Sequence, residues 1–235
     1  ESPPHHNAHV SLYVTNNNVE LSDMAGGFEY VDPIGVLEVS PTIGSGHGGT
    51  LVTVRLDVRQ ENLYTSCSFG AQVVTATRVT SSILQCVSPA HAVGVVETLL
   101  GGDGINFDPT GFSFRFMDAP SLQSIFPSVG PTKGGTHISV VGVHFVERMQ
   151  CKFGSYGMSD ATFLSTSLVK CRAPQIAVPL SVSISLLYNA NDSSDDSLDF
   201  DYHPPARISQ FIPAFGHESG GGLVTVLGSG FLKSR

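Results

Sequence analysis

The chain contains no tryptophan, and only 14% of its 235 residues are charged. Twelve Lys and Arg stand against twenty Asp and Glu, giving a net charge of −8. So few cations argue against a nucleic-acid surface, which needs a basic stripe to release counterions. They argue equally against docking on an anionic membrane. No apolar run approaches the roughly 20 residues of a membrane-spanning helix, so direct membrane insertion of this segment is not expected. No stretch carries the periodicity of an amphipathic helix. The N-terminal residues Glu1-Ser2-Pro3-Pro4-His5-His6 do not form a signal peptide, and if the protein is secreted this is a processed or partial chain. Carbohydrate-active and DNA-binding proteins would show aromatic platforms or basic clusters, which are missing here.

What is present is turn-forming and strand-forming. Twenty-five Gly and fourteen Pro punctuate a chain that is 41% hydrophobic. Between these turns lie short alternating runs rich in Val, Ile, Thr, Ser and Phe, the pattern of an all-β protein. One stretch organises the rest: Pro131-Thr132-Lys133-Gly134-Gly135-Thr136-His137-Ile138-Ser139-Val140-Val141-Gly142. It reads as a tight glycine turn feeding a strand, and it occurs three times. Gly48-Gly49-Thr50, Gly134-Gly135-Thr136 and Gly220-Gly221-Gly222 are spaced by 86 residues and 86 again. Pro41, Pro127 and Pro213 keep the same period, as do the aromatic ends Phe28-Glu29-Tyr30, Phe114-Arg115-Phe116 and Phe200-Asp201-Tyr202. A fixed period of this size marks tandem modules.

The phase sets the expected domains: 1–33 the back end of one module, 36–118 and 121–203 two complete modules, and 207–235 the front of another. The joints Asp32-Pro33, Asp118-Ala119-Pro120 and His203-Pro204-Pro205 are short and Pro-bearing, so neighbours should be semi-rigidly coupled. In the first piece Val10–Val14 reads as a strand, Asn16-Asn17-Asn18 as a hairpin turn and Phe28–Val31 as the closing strand. In the second complete module strands are expected at Ser124–Phe126, His137–Val141, Met149–Phe153, Ala161–Leu164, Leu168–Arg172, Leu180–Leu187 and Leu198–Tyr202. Seven strands in about 85 residues suit a two-sheet sandwich, burying Ile138, Val140, Val169, Val182, Ile184 and Phe200 between the sheets.

The chain has four cysteines. Cys67 and Cys86 lie in the first complete module, Cys151 and Cys171 in the second, at matching places. Of the three pairings four cysteines allow, the modular symmetry favours Cys67–Cys86 and Cys151–Cys171, and hence an oxidising compartment. A zinc site is the rival reading; it wants CxxC-like spacing or paired histidines, and neither is present.

These residues resemble the IPT/TIG family, the immunoglobulin-like domains shared by plexins, hepatocyte-growth-factor-type receptors and some transcription factors. The second module carries Pro127, Gly130, Gly134-Gly135-Thr136, Val141-Gly142-Val143-His144-Phe145, Cys151-Lys152-Phe153-Gly154, Cys171-Arg172-Ala173-Pro174 and Phe200-Asp201-Tyr202 of that pattern. The first carries Pro41, Gly48-Gly49-Thr50, Cys67-Ser68-Phe69-Gly70, Cys86-Val87-Ser88-Pro89 and Phe114-Arg115-Phe116, but departs at Leu56-Asp57, where the family usually has Gly-x-x-Phe. The last copy keeps Leu227-Gly228-Ser229-Gly230-Phe231. The resemblance implies tandem Ig-like β-sandwiches serving as ectodomains and spacers, and it implies no catalytic residues. Its intracellular branch binds DNA. Both complete modules are acidic, with four Lys/Arg against seven Asp/Glu in 36–120 and five against seven in 121–205, which counts against that branch.

Few residues invite chemistry. Gly44-Ser45-Gly46-His47-Gly48-Gly49 imitates a phosphate cradle, but a strand-like Thr50-Leu51-Val52-Thr53-Val54 follows where a P-loop needs Lys-Ser/Thr and a helix. No cofactor is expected. The nearest approach to a metal site is the cluster Asp192, Asp195 and Asp196, with Asp199 and Asp201 beyond it. Its carboxylates suit calcium, but a solvated hairpin loop is the favoured reading. His5, His6 and His9 could bind metal or belong to an exposed tail. Asn191-Asp192-Ser193 is an N-glycosylation sequon on a predicted hairpin, and surface Ser and Thr would admit O-glycans.

The ends fall out of phase with the modules. Either the sequence is a window on a longer array, or the front of one molecule's module meets the back of the next in a head-to-tail filament. Both expect an elongated, quasi-one-dimensional array. The expected protein is a non-enzymatic extracellular or cell-surface structural component, a rod-like spacer in an appendage or fibril. Its partners would be adjacent repeats, other copies of itself, and glycans. The alternative is the ectodomain of a receptor or adhesin that binds a protein.

Overall fold

The computed structural model describes residues 6, 8–22, 27–30, 35–57, 64–102 and 106–231. The described residues are strands and turns, with no helix among them. The first piece holds β1 (Ala8–Ser11) and β2 (Gly27–Tyr30). The first complete repeat holds β3 (Val36–Ser40), β4 (Ile43–Ser45), β5 (Leu51–Leu56), β6 (Ser66–Phe69), β7 (Gln72–Thr80), β8 (Ile83–Val87), β9 (Gly94–Gly101) and β10 (Phe107–Met117). The second holds β11 (Ser121–Phe126), β12 (Val129–Pro131), β13 (His137–Val143), β14 (Gln150–Phe153), β15 (Gly157–Asp160), β16 (Thr162–Ser165), β17 (Leu168–Arg172), β18 (Ser181–Leu187) and β19 (Leu198–His203). The last piece holds β20 (Arg207–Ile212) and β21 (Thr225–Ser229).

The chain divides into two compact units: Glu1–Ser40, Thr53–Cys86 and Glu97–Phe112 form the first, and Pro41–Val52, Val87–Val96 and Ser113–Arg235 the second. In the first unit β1 and β2 pair antiparallel, Ala8 opposite Tyr30. The expected strand Val10–Val14 therefore begins and ends earlier. Asn17 explains the shift: its side-chain oxygen accepts from the amides of Val19 and Glu20, curling the chain after Thr15 into the expected asparagine turn. Val31 and the Asp32-Pro33 joint lie outside the described residues. β6 pairs with both β7 and β9, and Cys67 is bonded to Cys86. Val39, Val54, Leu56, Phe69, Leu84 and Leu100 are buried within this unit.

The second unit contains the whole second repeat. Its sheets run β11-β13-β17-β16 and β12-β19-β18-β14-β15. All six residues expected to face the core, Ile138, Val140, Val169, Val182, Ile184 and Phe200, are buried. They alternate along their strands with exposed or half-buried neighbours because a strand turns successive side chains to opposite faces. The Cys151–Cys171 bridge joins β14 of one sheet to β17 of the other. Phe153, Phe200 and Tyr202 add edge-to-face contacts at 6.3 and 4.9 Å, a geometry favoured by the ring quadrupole.

The 86-residue phase is visible in strand register. Val36 opposes Leu56, Leu122 opposes Gly142 and Ile208 opposes Gly228, each pair sitting at a bulge. At Gly142 an added Cβ would lie 2.7 Å from the Phe145 ring, and at Gly228 it would lie 2.7 Å from that of Phe231. The aromatic three residues on covers the glycine. In the first repeat Arg59 stands in that phase instead of phenylalanine, and the buried side chain is Leu56 itself. The departure from the family pattern is thus a paired one: losing the covering aromatic goes with gaining a leucine.

Candidate functional site

Three glycine turns repeat the same backbone. Gly48 and Gly49 have φ of 78° and 88°, Gly134 and Gly135 of 70° and 83°, Gly220 and Gly221 of 72° and 82°. Only glycine adopts such a pair without steric cost. Each turn closes through the same hydrogen bond: Gly48 N to Ser45 O, Gly134 N to Pro131 O, and Gly220 N to His217 O. After the first turn the chain enters β5 and not a helix, so the resemblance to a phosphate cradle does not extend beyond the glycines.

The first turn is where side chains converge. The hairpin between β18 and β19 is shaped by Asn189, whose side-chain oxygen accepts from the amides of Asn191 and Asp192 at 2.8 and 2.7 Å. Asparagine does this because its short amide can imitate a backbone turn. The Asn189 amide nitrogen then donates to Ile43 O at 2.9 Å and to Asp192 Oδ2 at 2.8 Å. The Thr50 hydroxyl donates to the same Asp192 oxygen at 2.6 Å. Asn191 Nδ2 donates to Leu51 O at 3.1 Å. A hairpin of the second repeat is thereby hydrogen-bonded to the glycine turn of the first, wholly within the second unit. Thr50 is 0% exposed, and Ile43 packs against the core of the second repeat. A polar cleft of about 340 Å³ remains beside the contact, lined among others by Ser45, His47, Ala119, Tyr188 and Asp195.

Electrostatics follow from the burial. Tyr188 ionises only near pH 12, because burial opposes its phenolate and Asp192 and Asp195 repel it; the Ser45 hydroxyl bonded to it works the other way. Tyr202, whose hydroxyl donates to Pro174 O at 2.9 Å, is pushed by burial to about 12. Burial also raises Tyr64, helped by its bond to Asp108. A tyrosine unfolded at pKa near 10 loses its proton before its folded counterpart does. These groups contribute stability that is full below pH 10 and is lost as pH rises toward 12. We expect three of the six tyrosines to titrate late in the 295 nm absorbance and the melting temperature to fall through that window.

The acidic cluster is distributed among separate partners. Asp192 faces Thr50 and Asn189, while Asp196 accepts from the Ser121 hydroxyl at 2.5 Å. Among the described residues no three His, Cys, Asp or Glu side chains are grouped to hold a metal. His5 lies outside the described residues. Asn191 of the sequon is exposed, and its side-chain nitrogen is the atom that meets Leu51. The sequon and the acidic cluster point to Asn191 and Asp192, but neither to Asn189 nor to the partners Ile43, Thr50 and Leu51, since nothing in a linear pattern links residues 140 or more positions apart.

Removing the acceptor tests the contact. Asp192→Ala leaves the buried Thr50 hydroxyl proton without its acceptor and removes one of the two acceptors of the Asn189 amide, and should cost about 1–3 kcal/mol. Thr50→Val should cost less, and the double variant little more than Asp192→Ala alone. Urea titrations of the four proteins would show it. Strict additivity would mean that the two groups do not interact.

The family model described as the IPT/TIG domain matches residues 33–114 and 120–202. Fibrocystin-L of Homo sapiens is 26% identical over 238 residues, covering 97% of this chain and 5% of the relative. Fibrocystin-L of Mus musculus is 26% identical over 198 residues, covering 83% of this chain and 4% of the relative. The chain thus spans about one twentieth of the length of these curated relatives. Among solved structures, the full extracellular region of plexin A4 superposes with a TM-score of 0.52 at 17% identity, over 92% of this chain and 19% of that one. That likeness is one of fold.

Proposed function

We propose, on the premise that this chain belongs to the IPT/TIG domain family, that it is a non-enzymatic stretch of an extracellular repeat array which spaces and orients neighbouring modules. The observation that carries this reading is the set of hydrogen bonds that joins Asn189, Asn191 and Asp192 to the turn of the preceding repeat, the first two donating and the last accepting. A spacer needs its repeats held to one another; independent binding domains on a flexible tether do not. The polar groups gathered at this place are occupied in holding it. Two buried disulfides support an oxidising compartment, and the fold is shared with an extracellular region, that of plexin A4.

Expression behind a secretion signal tests the location. The chain should reach the medium with no free thiol; retention in the cell with reduced cysteines would overturn the extracellular reading. The finer reading, a subunit of a surface appendage or fibril, rests on the constant 86-residue phase, which gives each repeat an equivalent neighbour. Sedimentation velocity across a thousandfold range of concentration separates the two. Growing head-to-tail assemblies support a fibril. A monomer throughout eliminates it and leaves the array within a longer protein, where saturable binding of a protein partner would instead indicate a receptor or adhesin.

A further inference from the structure

The turn that accepts the hairpin exists twice in the second unit, once covered and once bare. Around the first, β4 runs parallel to β10 with Ile43 beside Arg115 and Gly44 beside Phe116; around the second, β12 runs parallel to β19 with Val129 beside Asp201 and Gly130 beside Tyr202. These pairs are in the same 86-residue phase. The surrounding hydrogen bonds match one for one. Gly46 N meets Met117 O and His91 N meets Gly46 O in the first; Thr132 N meets His203 O and Ile176 N meets Thr132 O in the second. The groups used at the first turn, the acceptors Ile43 O and Leu51 O and the donor hydroxyl of Thr50, therefore recur as Val129 O, His137 O and the Thr136 hydroxyl. Among the described residues no side chain is hydrogen-bonded to these three. Exposure follows: Thr50 is 0% exposed, whereas Thr136 is only half-buried, and Val129 is 40% exposed where Ile43 is packed against a core.

We infer that the turn Val129–His137 is a second acceptor face, and that its occupant is an Asn/Asp-bearing β-hairpin like 188–195, carried by an IPT/TIG module that follows the second repeat. The inference rests on the array reading and names the partner of the bare turn. Charge supports this occupant. The hairpin that sits on the first turn carries Asp192, Asp195 and Asp196, and His47 is among the side chains lining the cleft beside it. The residue in that phase at the second turn is Lys133, which is exposed. A permanent cation thus stands where an acidic hairpin would arrive. Directed contacts of this kind would give every joint of an array the same geometry.

The probe is a backbone-cyclised peptide of residues 186–197, titrated into the full-length, isotope-labelled chain while amide chemical shifts are followed. Saturable shifts at Val129, Gly134, Thr136 and His137 are expected. Lys133→Glu in the chain, an exposed change that leaves the core intact, should weaken binding at least tenfold, as should Asp192→Ala in the peptide. Shifts confined to Gly48 and Thr50 would mean that the peptide only exchanges with the chain's own hairpin. That outcome, or no shift at all, or binding indifferent to Lys133→Glu, would overturn the second acceptor face. None of these outcomes bears on secretion or self-association, so a failure here is distinguishable from a failure of the array reading.

Discussion

Gly142→Ala is expected to destabilise the second repeat by about 3 kcal/mol, the upper end of what forcing one extra methyl into a packed core costs. The added Cβ would sit 2.0 Å from the carbonyl oxygen of Ser121 and 2.7 Å from the Phe145 ring. The first obstacle is backbone, in a strand paired to β13 at Ser121 opposite Val143, so it cannot rotate away. Phe145 is buried and has no free space to move into. Urea unfolding would measure the loss, and a change below 0.5 kcal/mol, the scale of ordinary surface substitutions, would sink the idea. Phe145→Ala combined with Gly142→Ala should not restore stability, because truncating the buried ring itself costs roughly 3–5 kcal/mol and the Ser121 carbonyl remains in the way. In the first repeat the dependence reverses. Leu56→Gly there should cost roughly 2–5 kcal/mol as a large-to-small core change, since the leucine is itself buried.

Cys151→Ala with Cys171→Ala should cost about 3 kcal/mol, the loop-closure entropy returned to the unfolded chain by opening a loop of about 20 residues. The bridge also spans from β14 to β17, so it ties one sheet to the other. Both sulfurs lie in residues no more than 1% exposed. A reductant should therefore act only after unfolding, and a thiol assay should register no free cysteine in the native chain and four in urea with dithiothreitol. Rapid reduction of the folded protein would contradict the burial. The Cys67–Cys86 pair, with a separation of 19 residues, should behave alike, so removing both bridges should reduce stability in two comparable steps.

Much of this architecture could be read from the linear chain. A period of 86 residues needs no three-dimensional information to detect, and paired cysteines at matching phases suggest their own connectivity. The alternation Ile138-Ser139-Val140 names its core face directly, because a strand's side-chain period is two. Two short strands escaped, Val129–Pro131 and Gly157–Asp160. The first is three residues containing Gly and Pro, held by parallel pairing to Asp201–His203, and too short to carry a pattern of its own. The second carries Gly157 and the polar Ser159 and Asp160, and it is ordered by β14 rather than by its own composition.

The sequence by itself determined the β-sandwich class, the repeat phase, the sulfur pairing and the inward-facing residues, because each is written in local periodicity or spacing. Only the tertiary structure decided what the hairpin at Asn189–Asp192 is for. Its partners Ile43, Thr50 and Leu51 are distant in the chain, and the polar groups involved look like any solvated loop until folding brings a buried hydroxyl against a carboxylate. The same is true of Leu56, a substitution whose sense depends on which ring covers which strand. Contacts between distant residues leave no periodic trace, and packing alone tells a joint from a loop.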